Sequence, residues 1–451
     1  MKESVRNQYI ATICANIQGL SVGAFGGWSS SAFLVLQSDE SPLSTGKLTD
    51  EETSWIASSL CIGALLGSFL LAWVSNKVGR KTGFLITAAP MIIACVMIPW
   101  CKTAFQLCIS RFLGGLAGGG SFAVIPVYVT EIASDKIRGS LGSLIVILCN
   151  TGVLISFIFG YYFDYFLIPY LLAIAPVIFF CTFIFLPETP ATLLRMGRNE
   201  EEIRKSLKFY KGSECQFKDE IEKIKKQFAE DDKKEKLTLK DFTTPTAKKA
   251  LIIGLFLMAL DQLSGLFAMI NYTATIFQQS GSSLSPNLSS IIVALLQLLG
   301  TYTSTFLVDK AGRKILLSIS AISTGLGLAS LGIYIYLSSS GYDCSSFDWI
   351  PIVSYSWSIF MAQLGILSLH FMVMSEVLPP KIRAAGCSIG LMLLWVLAFI
   401  MTKCIPLFTE LLGLDGLLFG FSICCFGGAV FIITVIPETK GKSIEEIMKL
   451  L

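Results

Sequence analysis

Asn76-Lys77-Val78-Gly79-Arg80-Lys81 and, 233 positions further on, Asp309-Lys310-Ala311-Gly312-Arg313-Lys314 are two copies of one charged turn, each closing a long apolar run. Two more signatures repeat in the same order. Glu131 followed by Lys136-Ile137-Arg138 returns as Glu376 followed by Lys381-Ile382-Arg383, and Pro187-Glu188-Thr189-Pro190 returns as Pro437-Glu438-Thr439-Lys440. Three signatures at nearly constant offset mark a duplicated half. Between them the chain is apolar. Of its 451 residues 53% are hydrophobic and 15% charged, whereas soluble domains are about a quarter charged. Runs such as 251–260 and 416–436 carry no polar face. About 20 such residues cross the ~30 Å hydrocarbon layer as a helix, with every backbone group satisfied internally. The short alternating segments of a barrel are missing from the sequence.

The expected fold is an all-α membrane protein with twelve transmembrane helices in two six-helix halves. Spans are read at 9–36, 53–75, 82–101, 104–131, 138–162 and 165–187, then 248–280, 285–308, 314–338, 348–377, 382–408 and 414–436. The organisation is a first bundle over 1–189, a linker over 190–247, and a second bundle with a short tail over 248–451. In the linker, 200–209 and 219–228 carry apolar residues at helical spacing among charges, which predicts amphipathic helices on the membrane surface. The turns after spans 2, 4, 8 and 10, the linker and the tails hold 31 of the 35 basic residues. The positive-inside rule then places both termini and the linker in the cytoplasm. The polar N-terminus lacks a cleavable signal pattern, so the first span is expected to stay in the protein.

A net charge of +3 gives no nucleic-acid footprint. Most of the thirteen cysteines lie within apolar runs, as small packing residues. With one histidine and no triad, metal cluster or nucleotide loop, the chain reads as no enzyme and as needing no cofactor. The glycines at 114, 115, 118, 119 and 120 lack the lysine of a phosphate loop and read as close helix packing.

Basic residues alone would serve as membrane anchors, but the repeated acids ask for more. Arg80, Glu131, Arg138, Glu188, Asp309, Arg313, Glu376, Arg383 and Glu438 are read as gate ion pairs. The expectation is a lattice between the halves that holds the cytoplasmic side shut in one state and breaks in the other.

Arg111-Phe112-Leu113-Gly114-Gly115, Pro126-Val127-Tyr128-Val129-Thr130-Glu131-Ile132 with Arg138-Gly139, Pro187-Glu188-Thr189-Pro190, Gln262-Leu263-Ser264-Gly265 and Pro437-Glu438-Thr439-Lys440-Gly441-Lys442 resemble the sugar porters of the major facilitator superfamily over nearly the whole chain. Trp55-Ile56 and Leu378-Pro379 before Lys381-Ile382-Arg383 resemble the insect facilitated trehalose transporters and their hexose-transporting relatives. The resemblance implies alternating access by two rocking bundles around a sugar site at the midplane. Its candidate contacts here are Asp261, Gln262 and Asn271 of span 7, Gln297 of span 8, Asn150 of span 5, Phe371 of span 10 and Trp395 of span 11. Several family positions have become apolar: Phe267, Val146 and Leu394 replace amides. Leu367-Ser368-Leu369-His370-Phe371 replaces the proline-rich break of span 10. Hydroxyls buried without partners cost roughly 1–3 kcal/mol each, so the pocket is expected to differ from a glucose site.

The reading is facilitative transport of a sugar (trehalose, a hexose or a polyol) by a monomer in the plasma membrane, with the lipid bilayer and the sugar as its partners. Asp261 with His370 leaves a proton-coupled symporter as an alternative, and the altered span 10 leaves a sugar receptor that no longer transports. Asn287-Leu288-Ser289 is a sequon close to span 8 and is read as unmodified. The acidic dileucine-like tail at 446–451 fits a sorting signal and an amphipathic helix equally.

Overall fold

The computed structural model describes residues 3–134, 137–212, 217–233, 238–282 and 284–451, and only the backbone of 227–233 and 309. The first half holds α1 (Glu3–Leu36), α2 (Asp50–Val78), α3 (Arg80–Ile86), α4 (Ala88–Met97), α5 (Ala104–Ile132), α6 (Arg138–Tyr162) and α7 (Ile168–Phe183). The linker forms α8 (Pro190–Arg195), α9 (Glu200–Lys211) and α10 (Phe217–Lys233). The second half holds α11 (Pro245–Leu263), α12 (Leu266–Asn271), α13 (Thr273–Ser280), α14 (Pro286–Ala311), α15 (Arg313–Ser339), α16 (Ile350–Leu364), α17 (Ile366–Val377), α18 (Arg383–Val435) and α19 (Ile444–Leu450).

Among the described residues, ten helical segments are long and apolar enough to cross a membrane, and the shorter Ile168–Phe183 joins them. The 53-residue α18 is two helices meeting at Gly413, whose φ of 77° ends the first. The expected twelve crossings follow. Large apolar side chains such as Leu70, Phe306 and Ile423 lie exposed on the outside, as a lipid-facing surface requires. Polar caps start the helices: Thr49 and Glu52 form a capping box on α2, while Thr244 and Ser285 cap α11 and α14, each followed by proline.

Helices pack closest where side chains vanish. Gly63 and Gly67 of α2 meet Gly115 and Gly119 of α5 so closely that a Cβ at any of the four would strike backbone of the facing helix. Gly23 of α1 and Gly152 of α6 do the same for that pair. Such contacts let backbones approach where no hydrophobic driving force separates helix from lipid.

Two spans are broken rather than continuous. The seventh stops at Leu263 and restarts at Leu266 across Gly265, whose φ is 76° and whose missing Cβ makes room for the Phe421 ring. The tenth breaks at Gly365 although its prolines are gone. Hydroxyls take the freed backbone groups: Ile366 N donates to Ser320 Oγ (3.1 Å), and Ser368 Oγ donates to Gln363 O (2.6 Å). The linker also departs from expectation. The apolar face of α9 lies on protein instead of on the membrane surface: Ile203 and Leu207 pack with Leu193, and the Tyr210 hydroxyl donates to Pro187 O (2.8 Å).

Close packing of α2 on α5 gives a direct expectation. Gly119→Val should cost about 1–3 kcal/mol by overpacking and lower the thermal midpoint in detergent. Gly142→Val, where a Cβ meets nothing within 4 Å, should leave it unchanged. Equal midpoints for the two variants contradict the packing account.

Candidate functional site

The charged signatures assemble one arrangement twice, at the end of the molecule that also carries the N-terminus of α1. In the first half α2 ends at Gly79, with φ 105°, and α3 begins at once. The new helix exposes its first N–H groups, and the Glu188 carboxylate receives Lys81 N on both oxygens (3.1 and 3.0 Å). That carboxylate lies where a Cβ on Gly79 would be, so the position needs glycine twice over, for φ and for space. Arg80 turns back, donating Nε to Glu131 Oε1 (3.0 Å) and Nη1 to Asn76 Oδ1 (2.6 Å). Thr189 Oγ1 donates to the other Glu131 oxygen (2.5 Å).

The second half repeats the arrangement at the equivalent positions. Gly312, with φ 95°, lies under Glu438, which accepts from Arg313 N (3.0 Å) and Lys314 N (3.1 Å). Arg313 Nη2 donates to Glu376 Oε1 (3.2 Å), and Thr439 Oγ1 donates to Glu376 Oε2 (2.5 Å). Burial pushes the Glu188 carboxyl up, against the pull of its backbone donors from Thr189 and Lys81. Burial also opposes ionisation of Glu438, but N–H donors from Lys440, Arg313, Lys314 and Thr439 outweigh it and hold that carboxyl below its usual range.

The lattice between halves is expected in one state only, and in the state seen here the described pairs lie elsewhere. The ion pairs Arg80–Glu131 and Arg313–Glu376 each close inside one half, and Glu188 and Glu438 bind backbone N–H groups at helix starts. The reason is topological: the turn after span 2 lies beside the ends of spans 4 and 6 of its own bundle. Arg383 donates Nε and Nη2 to Leu378 O (3.3 and 3.2 Å), and Arg138 opens α6. Lys136 and the side chain of Asp309 lie outside the described residues.

The predicted sugar contacts fall into separate groups. Asn150 and Gln297 come together across the halves: Gln297 Nε2 donates to Asn150 Oδ1 (3.1 Å), and Asn150 Nδ2 donates to Thr301 Oγ1 (2.7 Å). Thr301 Oγ1 reaches Gln363 Oε1 at 3.4 Å. Asp261 and Gln262 form a second group, Gln262 Nε2 donating to Asp261 Oδ2, with His370 beside them. Trp395 is buried edge-on to Phe267 (6.3 Å between centroids) and packs with Cys61 and Ala64 of α2, its Nε1 without a partner. Phe371 stays half-exposed beside His370.

Asn271 belongs elsewhere. Its Oδ1 accepts from Ser29 Oγ (2.8 Å) and from Arg111 Nη2 (3.2 Å), joining α12 to α1 and α5. Arg111 is completely buried; its Nη1 donates to Phe25 O (2.6 Å) and its guanidinium lies 5.1 Å from the centre of the Phe25 ring. Sequence reasoning placed Arg111 in a span and gave it no partner. The signal was the buried charge itself, which needs acceptors. Nearby, Ala274 N donates to Ser30 Oγ (3.0 Å). Lys403 Nζ donates to Ser54 Oγ (2.7 Å), 4.6 Å above the Trp55 ring, and Asn287 Nδ2 donates to Gly160 O (3.2 Å). These links between the halves lie from the middle of the spans toward the face opposite the charged turns.

Two bundles clasped at one end and joined through polar links near the middle define the architecture of a two-domain membrane transporter. The profile of the "Sugar (and other) transporter" family matches residues 9–451, and the chain belongs to that family. It is 32% identical over 444 residues to a facilitated trehalose transporter of Polypedilum vanderplanki, covering 98% of this chain and 88% of the relative. The counterpart in Bombyx mori is also 32% identical, over 98% of this chain and 86% of the relative. Among solved structures, the inward open conformation of the xylose transporter XylE from E. coli superposes with a TM-score of 0.82 at 21% identity, over 98% of this chain and 99% of that one. The likeness to that structure is one of fold, and with the family it defines a multi-pass membrane protein built for sugar transport.

Glu438→Ala removes a carboxylate that gathers backbone donors at the start of α15, and should cost about 1 kcal/mol. A carboxylate held below its usual range stabilises above its unfolded pKa and loses that contribution as pH falls through the folded value. The thermal midpoint of the variant should therefore fall below wild type at pH 7, with the gap narrowing toward pH 4. A constant gap, or none, rules out the cap.

Proposed function

We propose that the protein is a facilitative sugar carrier that works by alternating access as a monomer in the plasma membrane, with both termini in the cytoplasm. The observation that carries this reading is where the two halves touch. Their polar links run from Asn150–Gln297 near the middle to Lys403–Ser54 and Asn287–Gly160 at the far end. The pairs Arg80–Glu131 and Arg313–Glu376 of the basic turns, by contrast, lie within each half. A protein linked in this way is closed on the side away from the basic turns, which the positive-inside rule makes the outer side. Rocking of the halves then breaks hydrogen bonds worth roughly 1 kcal/mol each, a cost that sugar contacts can offset.

The substrate class that fits is a polyhydroxylated solute such as trehalose, a hexose or a polyol. Asn150, Gln297, Asp261 and Gln262 supply amide and carboxylate groups at mid-span, and the trehalose transporters among the relatives support the same class. In proteoliposomes, labelled trehalose, glucose, fructose and sorbitol should reveal at least one saturable flux that is independent of sodium and runs down its gradient. Gln262→Ala should raise the apparent KM of that flux about 5–10-fold, as expected for one lost hydrogen bond of ~1–1.4 kcal/mol. No saturable flux of any sugar in the panel overturns the reading.

A further inference from the structure

Asp261 and Gln262 supply polar groups at mid-span, and the ring beside them, His370, has no part in that role. Asp261, 4% exposed on α11, holds its Oδ1 3.5 Å from Nδ1 of His370 on α17, the only histidine in the chain. The same ring nitrogen lies 3.0 Å from Ile366 O. A nitrogen facing a carbonyl and a carboxylate carries its hydrogen, so Nε2 is the atom that gains or loses a proton. The second Asp261 oxygen accepts the Gln262 amide, and Gln262, 1% exposed, is left with a buried Oε1 that no group donates to. An orphaned acceptor of this kind beside a buried carboxylate asks for a donor from outside the protein.

Several ionisable groups on the elements packed on α11 and α17 are held in contacts of their own. On α18, Arg383 binds Leu378 O and Lys403 binds Ser54. On α15, Arg313 binds Glu376. On α16, the Tyr355 hydroxyl meets Thr273. The described interactions of the Asp261 carboxylate are with His370 and Gln262.

We propose that Asp261, Gln262 and His370 form a proton-controlled site for substrate hydroxyls. With His370 neutral, the Asp261 carboxylate and Gln262 Oε1 both accept hydroxyl protons, and the hydrogen bond to the carboxylate is charge-assisted. When Nε2 takes a proton, the imidazolium compensates the Asp261 charge 3.5 Å away, and the carboxylate becomes the weaker acceptor. Sugar binding then falls as pH falls. Linkage requires the reverse as well: sugar arriving at the protonated site drives the Nε2 proton off into solvent. This rests on the sugar-carrier reading and adds a condition to it.

The test uses full-length protein with the same pH on both sides of the membrane, so that no proton gradient contributes. For the sugar of highest flux in the panel, apparent KM is measured at pH 5.5 and pH 8.0. Sugar-induced thermal shifts in detergent at the same two pH values report binding without transport. Wild type should show a KM at least fivefold higher at pH 5.5, with maximal rate changed less than twofold. H370Q, whose amide can still donate to Ile366 O, should hold one KM at both pH values. D261N should show a raised KM at both, with thermal midpoints confirming that the variants fold. A wild-type KM that is flat with pH, or a pH dependence that survives in H370Q, overturns the proposal. Flux without pH dependence removes this proposal alone. PH-dependent thermal shifts without flux remove the carrier reading alone, and neither flux nor shift removes both.

Discussion

The clasp in which a glutamate caps a helix start over a glycine, while the next residue's arginine reaches a second glutamate, is the constraint on which the rest of the structure depends. Gly79, Arg80, Glu131, Glu188 and Thr189 make it in the first half, and Gly312, Arg313, Glu376, Glu438 and Thr439 make it in the second. Each clasp ties the ends of three spans of one bundle. Charged groups at the membrane boundary are costly unless fully partnered, and here every carboxylate oxygen has a donor. The product is a pair of stiff bodies. The contacts between them are gathered at a shared seam.

That seam is polar at its centre and held by an unusual member. Arg111 carries a charge with no exposure at all, compensated by a carbonyl, an amide oxygen, a hydroxyl and two aromatic rings. Among the described residues, its hydrogen bond to the other half is the one to Asn271. Because hydrogen bonds to charged groups contribute about 1.5–3 kcal/mol, this link is stronger than its neutral neighbours, yet a conformational change can still break it. The second half also holds two broken spans, the first of which carries Asn271. Gly265 and Gly365 each interrupt a helix of the second half, and beyond the first break α12 and α13 bond to α1 through Asn271 and Ala274.

Much of this was legible from residues alone, and the reasons are physical. Apolar length dictates helices in hydrocarbon, and repeated charges at span ends reveal a duplication, so twelve crossings and two halves could be read directly. The clasp residues were also visible one by one, because Glu131, Glu188 and their repeats have no business at a membrane boundary without partners. Which partners they take was not visible. Spacing along a chain does not say whether a carboxylate meets an arginine of the other bundle or a backbone N–H of its own, and Glu188 takes the backbone. Asn271 looked like a sugar ligand because amides in span 7 usually are, but the buried guanidinium of Arg111 claims it. The missing prolines of span 10 left a sugar receptor that no longer transports as an alternative, and the structure keeps a break there, held by Ser320 and Ser368 hydroxyls. The apolar stripe of α9 was real, and its cover turned out to be protein.

The account stands or falls on the seam opening while the clasped halves stay intact. The direct measurement is the distance between spin labels at Lys47 and Glu410, one on each half at the face away from the clasps, by double electron–electron resonance in lipid nanodiscs. With Asn271→Ala, which removes the acceptor linking Arg111 to the second half, the account predicts a new population at longer distance. Label pairs within one half should keep their wild-type distribution. An unchanged distance between the halves, or loosening within a half, would contradict it.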